Sequence, residues 1–202
     1  DGSSKFYKDN RWGWFPSAAL AWKVTNEEFL KDNNIINNLK VRLGWGTVGN
    51  QNVPNNAYLA TYSSVATVWG TGLLAANTPN PDLKWESNIS QNIGLDLSFL
   101  NNRFQLTLDA YQNKGQDLLL AVAIPPTSGY SSQIRNLGST TNKGIELQLN
   151  AYIIKKKDLT WNANFNISNN KNTVTSLGTV DQLTRNSGWQ GSDGTDDYLV
   201  KV

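Results

Sequence analysis

An alternation of apolar and polar residues constrains the fold of this 202-residue chain more than any other sequence feature. From Trp85 to Phe99, apolar side chains occupy most positions of one parity, and polar side chains occupy the other. A period of two is typical of a β-strand with one apolar and one polar face. The pattern recurs, weakly in the first case, in 14–24, 39–45, 104–111, 145–153 and 159–167. The sequence therefore predicts an all-β fold, an antiparallel up-and-down meander of about six strands.

The connections between these strands vary in length in a regular way. Short turns occupy 100–102 and 155–158, a medium connection occupies 25–38, and long ones occupy 49–83, 113–143 and the chain from about 171 onward. Because each connection reverses the strand direction, all the long ones lie at one end of the sheet. Long loops at one end and short turns at the other are typical of outer-membrane β-barrels. A soluble barrel, in which the apolar parity faces a core, is the alternative.

In a membrane barrel the apolar parity faces lipid and the polar parity faces the lumen. The residues expected to face lipid are Ile93, Leu95, Leu106, Leu147 and Phe165. The residues expected to face inward are Asn92, Asp96, Thr107, Gln148 and Asn164. Bulky side chains also gather at both strand ends, as in interfacial girdles. They are Trp22, Phe99, Phe104, Leu159 and Trp161 at the short-turn end, and Trp45 and Trp85 at the long-loop end.

Missing residue types exclude several functions. The chain has no His and no Cys, so Ser-His-Asp catalysis, disulfides and Cys-ligated zinc are impossible within it. The net charge is only +2, and the single basic run, Lys155–Lys157, is short, which argues against nucleic-acid binding. We predict no catalytic residue, no metal ligand and no cofactor site, and we expect the protein not to be an enzyme.

Three local motifs favour structural roles. Gly44–Gly49 matches G-x-G-x-x-G after a strand, but the following Asn-rich segment cannot begin the helix that holds a dinucleotide. Thr25–Glu28 has the form of a capping box and predicts one short helix. The polar strand faces also carry carboxylates. Glycoside hydrolysis requires two carboxylates at a defined separation, and the sequence does not fix that separation. These carboxylates are Glu86, Asp96, Asp109 and Glu146.

Aromatic residues in the long connections, interspersed with Asn, Ser and Thr, are the candidates for contact with a substrate or partner. Aromatic rings stack on sugars and peptides, while amides supply hydrogen bonds. The candidates are Tyr58, Tyr62, Trp69, Tyr130 and Trp189. For each of them, packing within its own loop is the alternative.

Several segments in order along the chain resemble one known family. They are NRWGWFPS at 10–17, LKVRLGWGTVGNQ at 39–51, NPDLKWE at 80–86, NIGLD at 92–96 and NKGIEL at 142–147. Together they are similar to segments of the SusC/RagA-type TonB-linked outer-membrane transporters, and they make the resemblance specific in a way that no single short motif does.

The resemblance implies a transmembrane barrel of about 22 strands with a plug, energised by TonB and closed by a SusD-type surface lipoprotein. It also implies uptake of oligosaccharides or peptides at the bacterial outer membrane, in contact with outer-membrane lipid. Residues 1–202 are then expected to be a partial β-barrel segment, about a quarter of the wall, without the signal peptide, plug or C-terminal strand. A soluble all-β glycan-binding module is the alternative function.

Overall fold

The computed structural model describes residues 1–31, 33–178, 182–184 and 198–201. The strands in these ranges are β1 (Ser17–Lys23), β2 (Ile36–Asn50), β3 (Thr61–Thr67), β4 (Gly70–Asn77), β5 (Glu86–Phe99), β6 (Phe104–Gln116), β7 (Leu119–Ala123), β8 (Ser132–Asn136), β9 (Ser139–Lys155), β10 (Thr160–Ser176), β11 (Gln182–Thr184) and β12 (Tyr198–Lys201). The helical segments there are short 3-10 turns at Lys8–Asn10, Val24–Asn26, Glu28–Leu30 and Pro126–Ser128. None of the helices in the described part is long and apolar enough to cross a membrane.

The six strands predicted from the alternation form one antiparallel sheet, which confirms the predicted fold class. Their order is β1-β2-β5-β6-β9-β10, so each strand pairs with the next long strand along the chain. The turn after β5 is tight, and Leu100, Asn101 and Asn102 have φ between +53° and +58°. Asn tolerates this left-handed conformation better than most residues do. The predicted turn at 100–102 is therefore confirmed.

The two faces of the six-stranded sheet differ as the alternation predicts. Directly opposed residues of antiparallel strands share a face, and one cross-strand row consists of Trp22, Val41, Leu95, Leu108, Leu147 and Ile167. The neighbouring rows on this face contain Leu106 and Phe165 on one side and Ile93 on the other. We call this side the apolar face. It has no covering layer in the described structure, since Ile93 and Phe165 remain 52% and 55% exposed.

The opposite side, which we call the polar face, carries the residues expected to point inward. One row contains Asp96, Thr107 and Gln148, and other rows contain Asn92 and Asn164. Small residues stand among them. A Cβ on Gly94 would meet the side chains of Asp109 and Arg42, so glycine makes room there for larger neighbours.

The long connections lie together at one end of the sheet, as predicted, but they contain strands that the sequence reasoning missed. β3 and β4 form a hairpin between β2 and β5, and β7 and β8 form another between β6 and β9. The buried core also lies at this end rather than under the sheet. Its residues are Phe6, Val53, Ala57 and Leu83.

The short helix predicted at Thr25–Glu28 is wrong. The segment forms two 3-10 turns instead, without a side-chain cap, and the Thr25 hydroxyl oxygen is buried without a hydrogen-bond partner. Tertiary contacts override the local capping preference here. Val24 is buried, and Glu27 accepts a 2.8 Å hydrogen bond from the Trp22 indole.

Candidate functional site

The long connections pack into one unit, which we call the loop platform and define as residues 1–16, 51–85 and 117–138. Phe6 and Leu83 are fully buried in it, and Leu119 and Ile134 pack against them. The described core cluster contains no residue of the six-stranded sheet. Because compact loops of this kind are held by their own side chains, the platform presents fixed surfaces at this end of the sheet.

The segment Asn80–Glu86, which corresponds to the NPDLKWE motif, ties the second and third parts of the platform together. The Asn80 amide donates a 2.8 Å hydrogen bond to the carbonyl of Ile134. The Lys84 N–H donates to Asn136 Oδ1 at 2.9 Å, and the Asn136 amide donates back to the Lys84 carbonyl at 2.8 Å. The Lys84 ammonium also pairs with Asp117 at 2.8 Å. One segment therefore positions the whole β7–β8 hairpin.

Trp85 joins the first part of the platform to the other two. Its ring lies 5.4 Å from the ring of Phe6 and 5.2 Å from that of Phe15, between centroids. Its indole N–H donates to the Arg11 carbonyl at 3.2 Å. Trp85 thus lies at the long-loop end, as predicted, but it packs against the platform core. Trp45, in contrast, stands on the apolar face and is 42% exposed.

The structure separates the predicted aromatic residues into two groups. Tyr58 is half-buried, and its ring lies 6.0 Å from that of Tyr7, between centroids, so it packs against the N-terminal part of the platform rather than within its own loop. Tyr62 lies on β3 and is 66% exposed, and Trp69 lies at the turn between β3 and β4 and is 94% exposed. Trp189 lies outside the described residues.

Tyr130, the remaining candidate, lines a cavity of about 280 Å³ between the second and third parts of the platform. Asn77, Thr78 and Gln133 also line this cavity. The Thr78 hydroxyl oxygen is buried without a partner, whereas the Asn77 amide already donates to the Leu59 carbonyl. The cavity can therefore offer the Thr78 hydroxyl to a small polar segment of a ligand.

A second concave region, a trough of about 740 Å³, lies mainly on the polar face of the sheet. Amide side chains from three neighbouring strands line it: Asn92, Asn113 and Asn142. The side-chain oxygen Oδ1 of Asn142 is buried without a partner. Asp109 and Glu146 stand directly opposite each other at the edge of the trough. Amides and carboxylates in this arrangement can hydrogen-bond sugar hydroxyls or peptide groups.

Arg42 organises the charge of the polar face, and the sequence reasoning did not single it out. Its guanidinium contacts both oxygens of Asp96, at 2.9 and 3.1 Å, and an oxygen of Asp109 at 2.9 Å. Two of the carboxylates considered for glycoside hydrolysis thus share one cation, and Glu86 accepts the Leu119 N–H in the platform. The register contains the signal that was missed, because both Arg42 and Asp109 lie opposite Gly94.

We expect Arg42→Met to lower the free energy of unfolding of the full-length protein by about 1–2 kcal/mol. Breaking a fully buried ion pair costs more, about 3–5 kcal/mol, but water reaches the carboxylates of Asp96 and Asp109. In a protein that already carries Asp96→Asn and Asp109→Asn, adding Arg42→Met should lower the free energy of unfolding by almost nothing. Denaturant unfolding of all the variants measures the difference. Equal costs in both backgrounds would show that the ion pairs do not stabilise the sheet.

Comparison with known proteins identifies the family of this chain. The family model described as "TonB dependent receptor-like, beta-barrel" matches residues 1–199. The chain belongs to this TonB-dependent receptor β-barrel family. It is 44% identical over 186 residues to the TonB-dependent receptor SusC of Bacteroides thetaiotaomicron, covering 88% of this chain and 18% of that protein. The TonB-dependent receptor P3 of Formosa agariphila is 41% identical, with 91% and 19% covered. The chain thus spans about a fifth of these receptors.

Solved structures of the RagAB peptide importer match the architecture of this chain. The RagAB peptide importer in its closed-closed state matches with a TM-score of 0.84 and 31% identity, over 92% of this chain and 21% of the importer chain. The open-open state matches with a TM-score of 0.80. The sequence-based assignment to SusC/RagA-type proteins and to the outer membrane is therefore confirmed. The G-x-G-x-x-G match at Gly44–Gly49 lies within β2, and the next described element after it is the strand β3 rather than a helix.

Proposed function

We propose that residues 1–202 form part of the wall of a TonB-dependent outer-membrane importer, a barrel of about 22 strands whose long loops face the outside. The observation that carries this proposal is the six-stranded sheet itself. One face is apolar and uncovered, the other is polar, and every long described connection lies at one end. Lipid would cover the apolar face, and the polar face would line the lumen.

Oligosaccharides or peptides are the substrates that the polar side supports best. The amide-lined trough around Asn92, Asn113 and Asn142 offers donors and acceptors at short intervals, and the cavity beside Tyr130 offers more at the loop end. Neither site contains a basic cluster that would select a phosphorylated or strongly acidic substrate. The resemblance to SusC and to the RagAB peptide importer supports the same two classes.

A SusD-type surface lipoprotein is the proposed partner at the loop end, and TonB is the proposed source of energy through the rest of the protein. The hairpin β3–β4 supports the lipoprotein contact. Trp69 at its turn is 94% exposed, and Tyr62, Leu73 and Leu74 are also mostly exposed. An exposed apolar and aromatic group of this kind is typical of a protein interface.

Uptake by the full-length protein tests the proposed function. Reconstituted into liposomes with its lipoprotein partner, the protein should insert with protease-resistant strands and bind oligosaccharide or peptide from the loop side. In cells, uptake should depend on TonB. A full-length protein that stays in the aqueous fraction and binds glycan there would favour the soluble glycan-binding module.

Trp69→Ala should weaken binding of the lipoprotein about 30-fold, the effect expected when an interface loses an aromatic hot spot worth about 2 kcal/mol. Titration of the detergent-solubilised protein with the purified lipoprotein measures this. Trp161→Ala is the matched control, because Trp161 is 55% exposed at the opposite end of the sheet. Identical affinities for both variants would remove β3–β4 from the proposed interface.

A further inference from the structure

Three lysines stand on the apolar face near the loop end of the sheet. Lys143 of β9 lies directly opposite Lys171 of β10, and Lys114 of β6 lies opposite Thr141, two residues from Lys143. The register is unbroken from these positions to the row of Leu108, Leu147 and Ile167. All three lysines therefore belong to the apolar face, and not to the polar face that lines the lumen in the proposed function.

This group of lysines lacks compensating charge in the described structure. Like charges in directly opposed positions destabilise a sheet, and Lys143 and Lys171 are such a pair. The ion pairs among the described residues involve Arg42 and Lys84, not these three lysines. The positions of this parity in the six long strands contain no Asp or Glu. A bound anion would remove the repulsion.

The lysines line a recess of about 380 Å³ together with Gln112, Thr141 and Thr173. Ammonium, hydroxyl and amide groups are donors that surround a phosphate well, since each phosphate oxygen accepts several hydrogen bonds. The recess is open and has no aromatic residue in its lining. Its chemistry therefore suits a phosphate group rather than a sugar ring or an organic cation.

An apolar groove of about 670 Å³ adjoins the lysine recess and shares Gln112 and Lys143 with it. Leu43, Ile93 and Ala110 line the groove on the apolar face. Ala110 lies in the row between Ile93 and Ile145, and its small side chain leaves a depression between them. A depression of this shape can hold a hydrocarbon chain that runs along the barrel wall.

The position of the lysines along their strands indicates the depth of the recess in the membrane. Lys114, Lys143 and Lys171 lie two, four and five residues from the loop ends of β6, β9 and β10. Trp45 lies five residues from the loop end of β2 on the same face. Tryptophan on a lipid-facing surface is enriched at the level of the lipid headgroups, where lysine side chains also reach the phosphates. With the long loops outside, these strand ends lie at the headgroup level of the outer leaflet.

We propose that the lysine recess and the apolar groove together bind one phosphate-bearing lipid of the outer leaflet, with its phosphate on Lys114, Lys143 and Lys171 and an acyl chain in the groove. The proposal rests on the proposed function, because that function puts the apolar face in the membrane and the long loops outside. The lysine recess shares no lining residue with the trough of the polar face, whereas the groove shares Gly44, Trp45 and Asn92 with it.

Binding of lipid A to the full-length protein in a zwitterionic detergent tests the site, with native mass spectrometry as the readout. The triple variant Lys114→Gln, Lys143→Gln, Lys171→Gln should bind diphosphoryl lipid A at least tenfold more weakly than the unaltered protein. The matched control is Lys155→Gln, Lys156→Gln, Lys157→Gln, which removes equal charge at the short-turn end and should bind as the unaltered protein does. Ala110→Phe, which fills the groove, should also weaken binding.

Three results would overturn the proposal: equal binding by the site triple variant and the unaltered protein, an equal loss in the control triple variant, or displacement of lipid A by millimolar inorganic phosphate. The last result would identify a site for soluble phosphate. Insertion into liposomes and substrate uptake, measured on the same samples, separate this proposal from the proposed function. A protein that inserts and imports but fails the lipid test contradicts only the lipid site.

Discussion

Leu108→Arg is expected to destabilise the full-length protein in lipid by about 2–4 kcal/mol, the cost of arginine near the middle of a barrel's lipid-facing surface. Leu108 lies in the central row of the apolar face, between Leu95 and Leu147. Its neighbour in sequence provides the matched control. Thr107 points to the polar face opposite Asp96, so Thr107→Arg puts the same charge beside a carboxylate in a wet environment.

Reversible urea unfolding in phospholipid vesicles measures both variants. The predicted order of stability is Thr107→Arg close to the unaltered protein and Leu108→Arg well below it. Similar losses of stability in the two variants would mean that the two faces do not differ in environment. The hypothesis that the apolar face contacts lipid would then be wrong.

Leu83→Ala is expected to cost about 2–5 kcal/mol, as the loss of a fully buried leucine does when the cavity stays open. Leu83 is 0% exposed and belongs to the core of the loop platform. Because that core contains no residue of the six-stranded sheet, the loss should fall on the platform and not on the barrel wall. Faster amide exchange is therefore expected in 51–60 and 131–137, with β6 unchanged.

Hydrogen exchange with mass-spectrometric readout distinguishes these regions. Leu73→Ala is the control, because Leu73 is 76% exposed on β4 and its truncation should change little. If exchange in β6 rises as much as in the platform, the loops and the wall unfold as one unit, and the independence of the platform is wrong.

The parts of the fold that could be predicted are those where neighbouring residues alternate between different environments. In β5, β6 and β9 one parity is apolar and the other polar, so the strands and their faces can be read from the sequence. The β3–β4 hairpin lacks that contrast. Both of its faces are largely exposed, and Gly70 and Gly72 weaken the pattern, so no alternation indicated these strands.

The parts of the candidate site that could not be predicted depend on contacts between distant residues. Asn80 meets Ile134 and Lys84 meets Asn136, pairs that are 54 and 52 residues apart. Nothing local indicates such contacts. Tyr58 and Trp69 looked alike in the sequence, yet one packs against Tyr7 and the other is exposed. Only the conformation of the loops separates them.

The ion pairs of Arg42 lie between these two cases, because the turn geometry and the strand register together predict them. The tight turn pairs Phe99 with Phe104, and counting back along both strands brings Gly94 opposite Asp109. A pairing of β2 with β5 then adds Arg42 on the other side of Gly94. The alternation predicts the polar faces of these strands correctly, but it does not by itself predict the individual pairs across them.

The hydrogen bonds that hold the β7–β8 hairpin have a consequence for how such a receptor can acquire new ligands. Asn80 bonds to the carbonyl of Ile134, Gln133 bonds to the carbonyl of Pro79, and Asn136 bonds to the carbonyls of Lys84 and Asp117. Each acceptor is a main-chain oxygen, which every amino acid possesses. The side chain at 79 can therefore be exchanged without losing its bond, whereas Ile134 also packs against the platform core. A few fixed amides thus hold the β7–β8 hairpin in place. Residues of the platform that lie outside its core are therefore free to change, and with them the ligands that the receptor binds.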